Sequence, residues 1–199
     1  MSILATTAGN TRDLLANRKN DLYETPPEAV HALMRVETLP LRLWEPACGP
    51  GSIVRELRSA DFDVLATDLV DYDSPDQDAF GVDFLIPGLA ESYATGQQGI
   101  VTNPPFKNAL EFVERALDMV PYVAMLMRLN FLESEKRRSI IDNAPLARVH
   151  VFRNRLPMMH RDGWEGNKTT STMAFAWFVW QRGYVGPTEL HRLSWEAAE

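Results

Sequence analysis

Short apolar runs at residues 41–44, 62–67, 99–102 and 122–129 alternate with segments whose apolar residues recur at helical spacing. This alternation restricts the chain to a narrow set of folds. A strand joined through a helix to a parallel strand must cross over the sheet, and repeating that unit lays helices on both faces. The expected class is therefore α/β, a Rossmann-like doubly wound sheet that is mostly parallel. Two late runs, near 148–153 and 173–181, have no helix between them. They predict an antiparallel edge pair near the C-terminus.

The local signals fill in this frame. Thr25-Pro26-Pro27-Glu28 has the form of a capped helix start, with Val30, Leu33 and Met34 following at helical spacing. The strand at 41–44 ends on Glu45 and leads into the small-residue turn Pro46-Ala47-Cys48-Gly49-Pro50-Gly51-Ser52. A helix with Ile53, Val54 and Leu57 on one side comes next, and the strand after it ends on Asp68. Residues 71–98, rich in Asp, Pro, Gly and Gln, read as loop with a short strand or turn at Phe84-Leu85-Ile86. The strand at 99–102 runs into Asn103-Pro104-Pro105-Phe106. Asn108 and Glu111 are expected to cap a helix carrying Leu110, Val113, Leu117 and Val120. A charged helix is expected over 134–142.

At 199 residues the chain suits one domain, expected over 21–199 behind a polar lead-in at 1–20. No apolar run approaches the roughly 20 residues of a membrane-spanning helix. The lead-in lacks the pattern of a secretory signal, so a cytoplasmic location is expected. A single cysteine, Cys48, excludes an internal disulfide and a multi-cysteine zinc centre, and no metal site is expected. His31 and His150 fall on a helix and a strand with no evident carboxylate partner, which points to structural roles. The net charge of −7 argues against a broad nucleic-acid footprint, leaving only a local one. The stretch 148–170 is the local candidate, with Arg148, Arg153, Arg155, Arg161 and Lys168 against Asp162 and Glu165.

In a doubly wound sheet, ligands bind beyond the carboxyl ends of the strands. Glu45 to Gly51 supplies a turn that a ligand can approach closely. Asp68 supplies a carboxylate for ribose hydroxyls. Both features also suit a nicotinamide dinucleotide, although Val54 stands where that fingerprint has its third glycine. Asn103-Pro104-Pro105-Phe106 discriminates better. Two prolines after a buried strand cannot extend a ladder, since neither has an N–H. The Asn103 side-chain oxygen and the Pro104 carbonyl can accept from an amino group, and Phe106 offers a face for a base. Cys48 reads as a packed turn residue rather than a nucleophile.

Taken in order, Thr25-Pro26-Pro27-Glu28, Glu45-Pro46-Ala47-Cys48, Asp68, Asp83-Phe84 and Asn103-Pro104-Pro105-Phe106 resemble the gamma-class N6-adenine DNA methyltransferases. The resemblance spans about residues 22–180. Arg128-Leu129-Asn130-Phe131-Leu132-Glu133-Ser134 and Trp177-Phe178-Val179-Trp180 are similar to small phage- or prophage-type members that lack a target-recognition domain. The resemblance implies a class I methyltransferase fold with S-adenosylmethionine as cosubstrate. Its site would comprise Tyr23, Thr25, Glu45, Pro46, Ala47, Cys48 and Gly49 at the methionine part and Asp68 at the ribose. Asp83 would sit at the adenine amino group, with Phe84 beside the ring. Asn103, Pro104 and Pro105 would form the catalytic loop, with Phe106 stacking on the target base. Phe106 stands where many members have tyrosine.

The implied substrate is a nucleic acid, DNA ahead of RNA. An RNA base amine, a protein glutamine amide and a catalytically silent partner subunit are the alternatives. Arg155, Arg161, Trp164 and Lys168, in the long connection between the last two expected strands, are the candidates for holding that substrate. A homodimer or a partner subunit would complete target recognition.

Overall fold

The structure, a computed structural model, describes residues 22–157 and 173–196. Helix α1 (Pro27–Val36) opens with proline at its first position, where the missing N–H costs nothing. Its buried face is Ala29, Val30, Ala32 and Leu33. The expected capping box does not form, because Pro26 is the N-cap and no side chain caps the helix. The Thr25 hydroxyl instead accepts from Asn103 Nδ2 at 3.1 Å.

Along the chain follow β1 (Arg42–Glu45), α2 (Ser52–Ser59), β2 (Asp63–Ala66), α3 (Ala90–Ala94) and β3 (Gly99–Thr102). Then come α4 (Ala109–Met119), β4 (Tyr122–Arg128), α5 (Arg138–Ile141), β5 (Leu146–Phe152), β6 (Phe175–Gln181) and β7 (Glu189–Leu193). The seven strands form one sheet in the order β2-β1-β3-β4-β6-β5-β7. β1 pairs in parallel with β2 and β3, and β3 with β4, while β6 runs antiparallel to both β4 and β5. The mostly parallel α/β sheet and its antiparallel pair are thus present.

Several local readings are corrected. β7 pairs in parallel with β5, so the antiparallel pair lies inside the sheet rather than at its rim. Its solvent-facing sequence Glu-Leu-His-Arg-Leu has little apolar content to signal a strand. Of the short strand or turn expected at residues 84–86 the turn is what forms, while α3 is an addition in that polar stretch. The charged segment expected as one helix is a 3-10 turn at Glu135–Arg137 followed by α5. Asn108 is the N-cap of α4 but makes no side-chain cap bond. Both histidines pair with carboxylates: His31 Nε2 lies 2.6 Å from Glu56, and His150 Nε2 lies 2.7 Å from Glu37.

Strand alternation divides the core into two layers. Leu43, Val101, Ala124 and Trp177 pack against α1 and α2, while Trp44, Ile100, Val123 and Phe178 face α4. Among the described residues three tryptophans are fully buried, and each indole N–H finds an acceptor. Trp44 donates to Thr67 Oγ1, Trp177 to the Ala29 carbonyl and Trp180 to the Ile140 carbonyl, at 3.0, 2.9 and 2.7 Å. Glu37, just past the end of α1, ties that helix to the sheet. It accepts from Arg148 at 2.6 and 3.0 Å, from His150 at 2.7 Å and from the Tyr122 hydroxyl at 3.1 Å.

Candidate active site

The chain runs outward from β1 to β2 and then returns past β1 to β3. This reversal leaves the carboxyl ends of β1 and β3 side by side, where an open α/β sheet holds its ligands. A cavity of about 260 Å³ opens there. Its wall includes Tyr23, Thr25, Glu45, Pro46, Ala47, Cys48, Asp68, Asp83, Phe84, Asn103 and Pro105. Segments scattered over eighty residues of sequence therefore share one cleft. Gly49, Pro104 and Phe106 adjoin it without being among its wall residues.

Glu45 ends β1 and is 1% exposed. Thr102, at the end of β3, donates its hydroxyl to Glu45 Oε1 at 2.5 Å, while Oε2 is buried with no hydrogen-bond partner among the described residues. Burial pushes the Glu45 carboxyl well above its ordinary range, partly offset by the Thr102 bond. Asp68 accepts from the backbone N–H of Gly49 at Oδ2 and of Val70 at Oδ1, both at 2.9 Å, and the Leu69 N–H also favours its charged form. Burial raises its pKa as well, against those same bonds. Two desolvated carboxylates in one cleft favour a cation.

The turn between β1 and α2 is shaped by its neighbours. Gly51 has φ +93°, and a Cβ there would come 2.3 Å from Asp76 Cβ. The loop after β2 is thus folded down onto the start of α2, where Asp76 also meets Arg55 at 2.8 Å and Ser74 donates to the Pro50 carbonyl at 2.9 Å. Cys48 is buried, and its thiol pKa is pushed upward by burial and by Glu45 and Asp68, which suits a packed residue and not a nucleophile. Asp83 Oδ1 accepts from Leu85 N at 2.9 Å, turning the chain beneath the cleft. Phe84 is 2% exposed and packs 5.2 Å from Trp44 and 4.7 Å from Phe112.

Asn103 follows β3 directly. Its Nδ2 donates to the Tyr23 carbonyl at 2.8 Å and to Thr25 Oγ1 at 3.1 Å. Its Oδ1 is buried and has no partner among the described residues. The segment before α1 therefore sets the amide orientation, with the donor end fixed and the acceptor end left over. Phe106 packs against Tyr23 and Phe175, with ring centroids 5.0 and 5.9 Å away, and the Arg128 guanidinium lies 4.1 Å from its ring centre.

Sequence reasoning missed Tyr72, Leu69, Asn108 and Phe112 on the cavity wall. Tyr72 sits in the irregular loop after β2. Burial and the charge of Asp68 raise its hydroxyl pKa. Arg155 is exposed and lines a separate groove beside Arg128. Arg161, Trp164 and Lys168 lie outside the described residues.

No protein-family model matches the sequence, and no curated protein matches it. Solved structures do share its fold. A TehB-like SAM-dependent methyltransferase from Corynebacterium glutamicum has a TM-score of 0.52 at 14% identity, over 87% of this chain and 97% of its own. The M protein of the type I restriction enzyme EcoKI has a TM-score of 0.54 at 13% identity, over 83% of this chain and 45% of its own. The 23S rRNA methyltransferase ErmE has a TM-score of 0.50 at 15% identity, over 82% of this chain and 70% of its own. The fold is that of the class I, Rossmann-like methyltransferases.

Proposed function

We propose that the protein is an S-adenosylmethionine-dependent methyltransferase acting on an exocyclic amine, with N6 of adenine in DNA the leading target. The observation that carries this reading is the Asn103 amide, whose donor end is engaged and whose acceptor end is buried and unpaired beside the cavity. An amine nucleophile needs such an acceptor to aim its lone pair and to stabilise the positive charge developing on nitrogen.

The cleft suits the cosubstrate. Glu45 Oε2, buried without a partner, would accept from the ammonium of the methionine part, with Tyr23, Thr25 and the Pro46-Ala47-Cys48-Gly49 turn around it. Asp68 would take the ribose hydroxyls, Asp83 the adenine amino group, and Phe84 would floor the ring. When bound, S-adenosylmethionine supplies an electrophilic methyl group on a sulfonium sulfur. A dinucleotide is disfavoured by Asp76, whose side chain packs on Gly51 at the start of α2, where a pyrophosphate would have to lie.

In the chemical step, Asn103 Oδ1 and the Pro104 carbonyl accept the two amine hydrogens and turn the nitrogen lone pair toward the cosubstrate. Pro105 stiffens this loop, and Phe106 stacks on the base. The nitrogen would form the new C–N bond as the S–CH3 bond of the sulfonium breaks, leaving S-adenosylhomocysteine, and would then shed one proton past these acceptors to water. Restriction-type and ribosomal-RNA methyltransferases both share the fold, so fold alone does not choose between substrates. The motif order described above favours adenine.

Thermal shift tests the cosubstrate directly. S-adenosylmethionine and S-adenosylhomocysteine should raise the melting temperature, and a nicotinamide dinucleotide should not. Stabilisation by the dinucleotide alone would overturn the reading.

A further inference from the structure

One face of Phe106, the ring on which a base is proposed to stack, is covered. The Arg128 guanidinium lies over that ring, with Cζ 4.1 Å from its centre. Tyr23 and Phe175 pack around the same ring, tilted by 33° and 43°. Arg128 is the last residue of β4, and its Nε is buried with no hydrogen-bond partner among the described residues. The contact with the ring leaves the buried Nε–H without an acceptor among the described residues, a weak hold for that part of the guanidinium. Beside it runs a groove of about 520 Å³ whose charged lining is Arg128, Arg155 and Glu133, a net positive set. The turn at Leu129–Leu132 that forms one side of the groove is braced by Arg137. That side chain donates to the carbonyls of Asn130, Phe131 and Glu133 at 3.1, 3.2 and 2.8 Å.

We infer that Arg128 is a positioning residue with two settings, one over Phe106 and one gripping a strand phosphate in the neighbouring groove once a base has taken its place on the ring. The inference rests on the proposed nucleic-acid substrate. Both the guanidinium and a nucleobase are flat and stack on an aromatic face, so one replaces the other with little loss of contact. The displaced guanidinium needs an anion, and its stem reaches the groove that Arg155 shares. Base entry and phosphate capture are thereby coupled. A base alone must displace Arg128 with no compensating contact, whereas a base on a strand brings the phosphate with it.

This coupling makes a prediction of opposite sign for two probes. With S-adenosylhomocysteine saturating the cosubstrate cleft, adenosine and a short single-stranded oligo-dA are titrated against the parent protein, Arg128→Ala and Arg128→Lys. Arg128→Ala should bind adenosine severalfold more tightly than the parent, because nothing remains to be displaced. It should bind oligo-dA about tenfold more weakly, with a salt dependence shallower by about one phosphate contact. Arg128→Lys should keep the parent's salt slope, having kept the charge. If Arg128 only holds the site together, Arg128→Ala weakens both probes and leaves the salt slope unchanged, and the inference fails. A parent protein that binds neither oligo-dA nor adenosine overturns the nucleic-acid reading, and the inference falls with it. A parent that binds both, with an Arg128→Ala variant indistinguishable from it, overturns the inference alone.

Discussion

A side-chain amide has a donor end and an acceptor end, and in Asn103 only the donor end is engaged. Asn103→Ala removes the unpaired Oδ1 and should lower turnover by roughly 100-fold, in line with the loss of one preorganised transition-state contact. Single-turnover methyl transfer measures this, and calorimetry with S-adenosylhomocysteine should show affinity within a few-fold of the parent. Near-normal turnover would remove Asn103 from the chemistry. Asp68 belongs to the cosubstrate side of the same cleft. Losing its charge-assisted bonds to the ribose, Asp68→Ala should weaken S-adenosylmethionine binding at least tenfold, corresponding to about 1.5–3 kcal/mol. The pH dependence follows from burial. Glu45 and Asp68 both hold their protons to higher pH than ordinary carboxyls, and a bound cation favours the ionised forms. Affinity for S-adenosylmethionine should therefore fall as pH drops, beginning above the usual carboxylate range. Calorimetry across mildly acidic pH checks this, and a flat profile would contradict it.

Two elements place the cleft, and each carries its own test. Helix α1 positions Tyr23 and Thr25, and Glu37 anchors it to β4 and β5. Burial raises the Glu37 carboxyl, but hydrogen bonds and charges from His150 and Arg148 more than reverse that, lowering it from 4.5 to about 2. A depressed folded-state pKa means stability that is fully present above about pH 4.5 and is lost as pH falls toward 2. Glu37→Gln should flatten that acid limb of the melting profile while lowering the melting temperature at neutral pH. An unchanged acid limb would show that the anchor lies elsewhere.

The second element is the turn before α2. Gly51→Ala meets both a left-handed backbone and the Asp76 side chain, so it should cost about 1–3 kcal/mol and loosen the loop that carries Tyr72. Denaturant unfolding measures this. A neutral substitution would mean that the loop shifts freely.

Across the whole molecule, the sequence was most readable where chemistry and periodicity coincide. β1, β3 and β4 are largely apolar runs; β1 and β4 end on Glu45 and Arg128, Asn103 directly follows β3, and the cleft forms at the ends of the first two. Less readable were parts whose conformation depends on a partner far along the chain. Thr25 looked like a helix cap because the sequence does not display Asn103 beside it, and Asn108 misled in the same way. Tyr72 reached the cavity only because Asp76 and Ser74 fold its loop onto the turn at Pro50 and Gly51. β7 carries its strand identity in pairing with β5 rather than in its own composition.

The proposed reaction moves a methyl group to an exocyclic amine in this cleft, with adenine in DNA the leading target. The most direct measurement supplies the protein with methyl-labelled S-adenosylmethionine and, separately, DNA, RNA and protein extract, then hydrolyses each product to single units. The account predicts label in DNA as N6-methyladenine, lost with Asn103→Ala. Label in RNA bases or in protein glutamine would contradict the substrate. Absence of label from all three, in a protein that binds the cosubstrate, would contradict the activity itself.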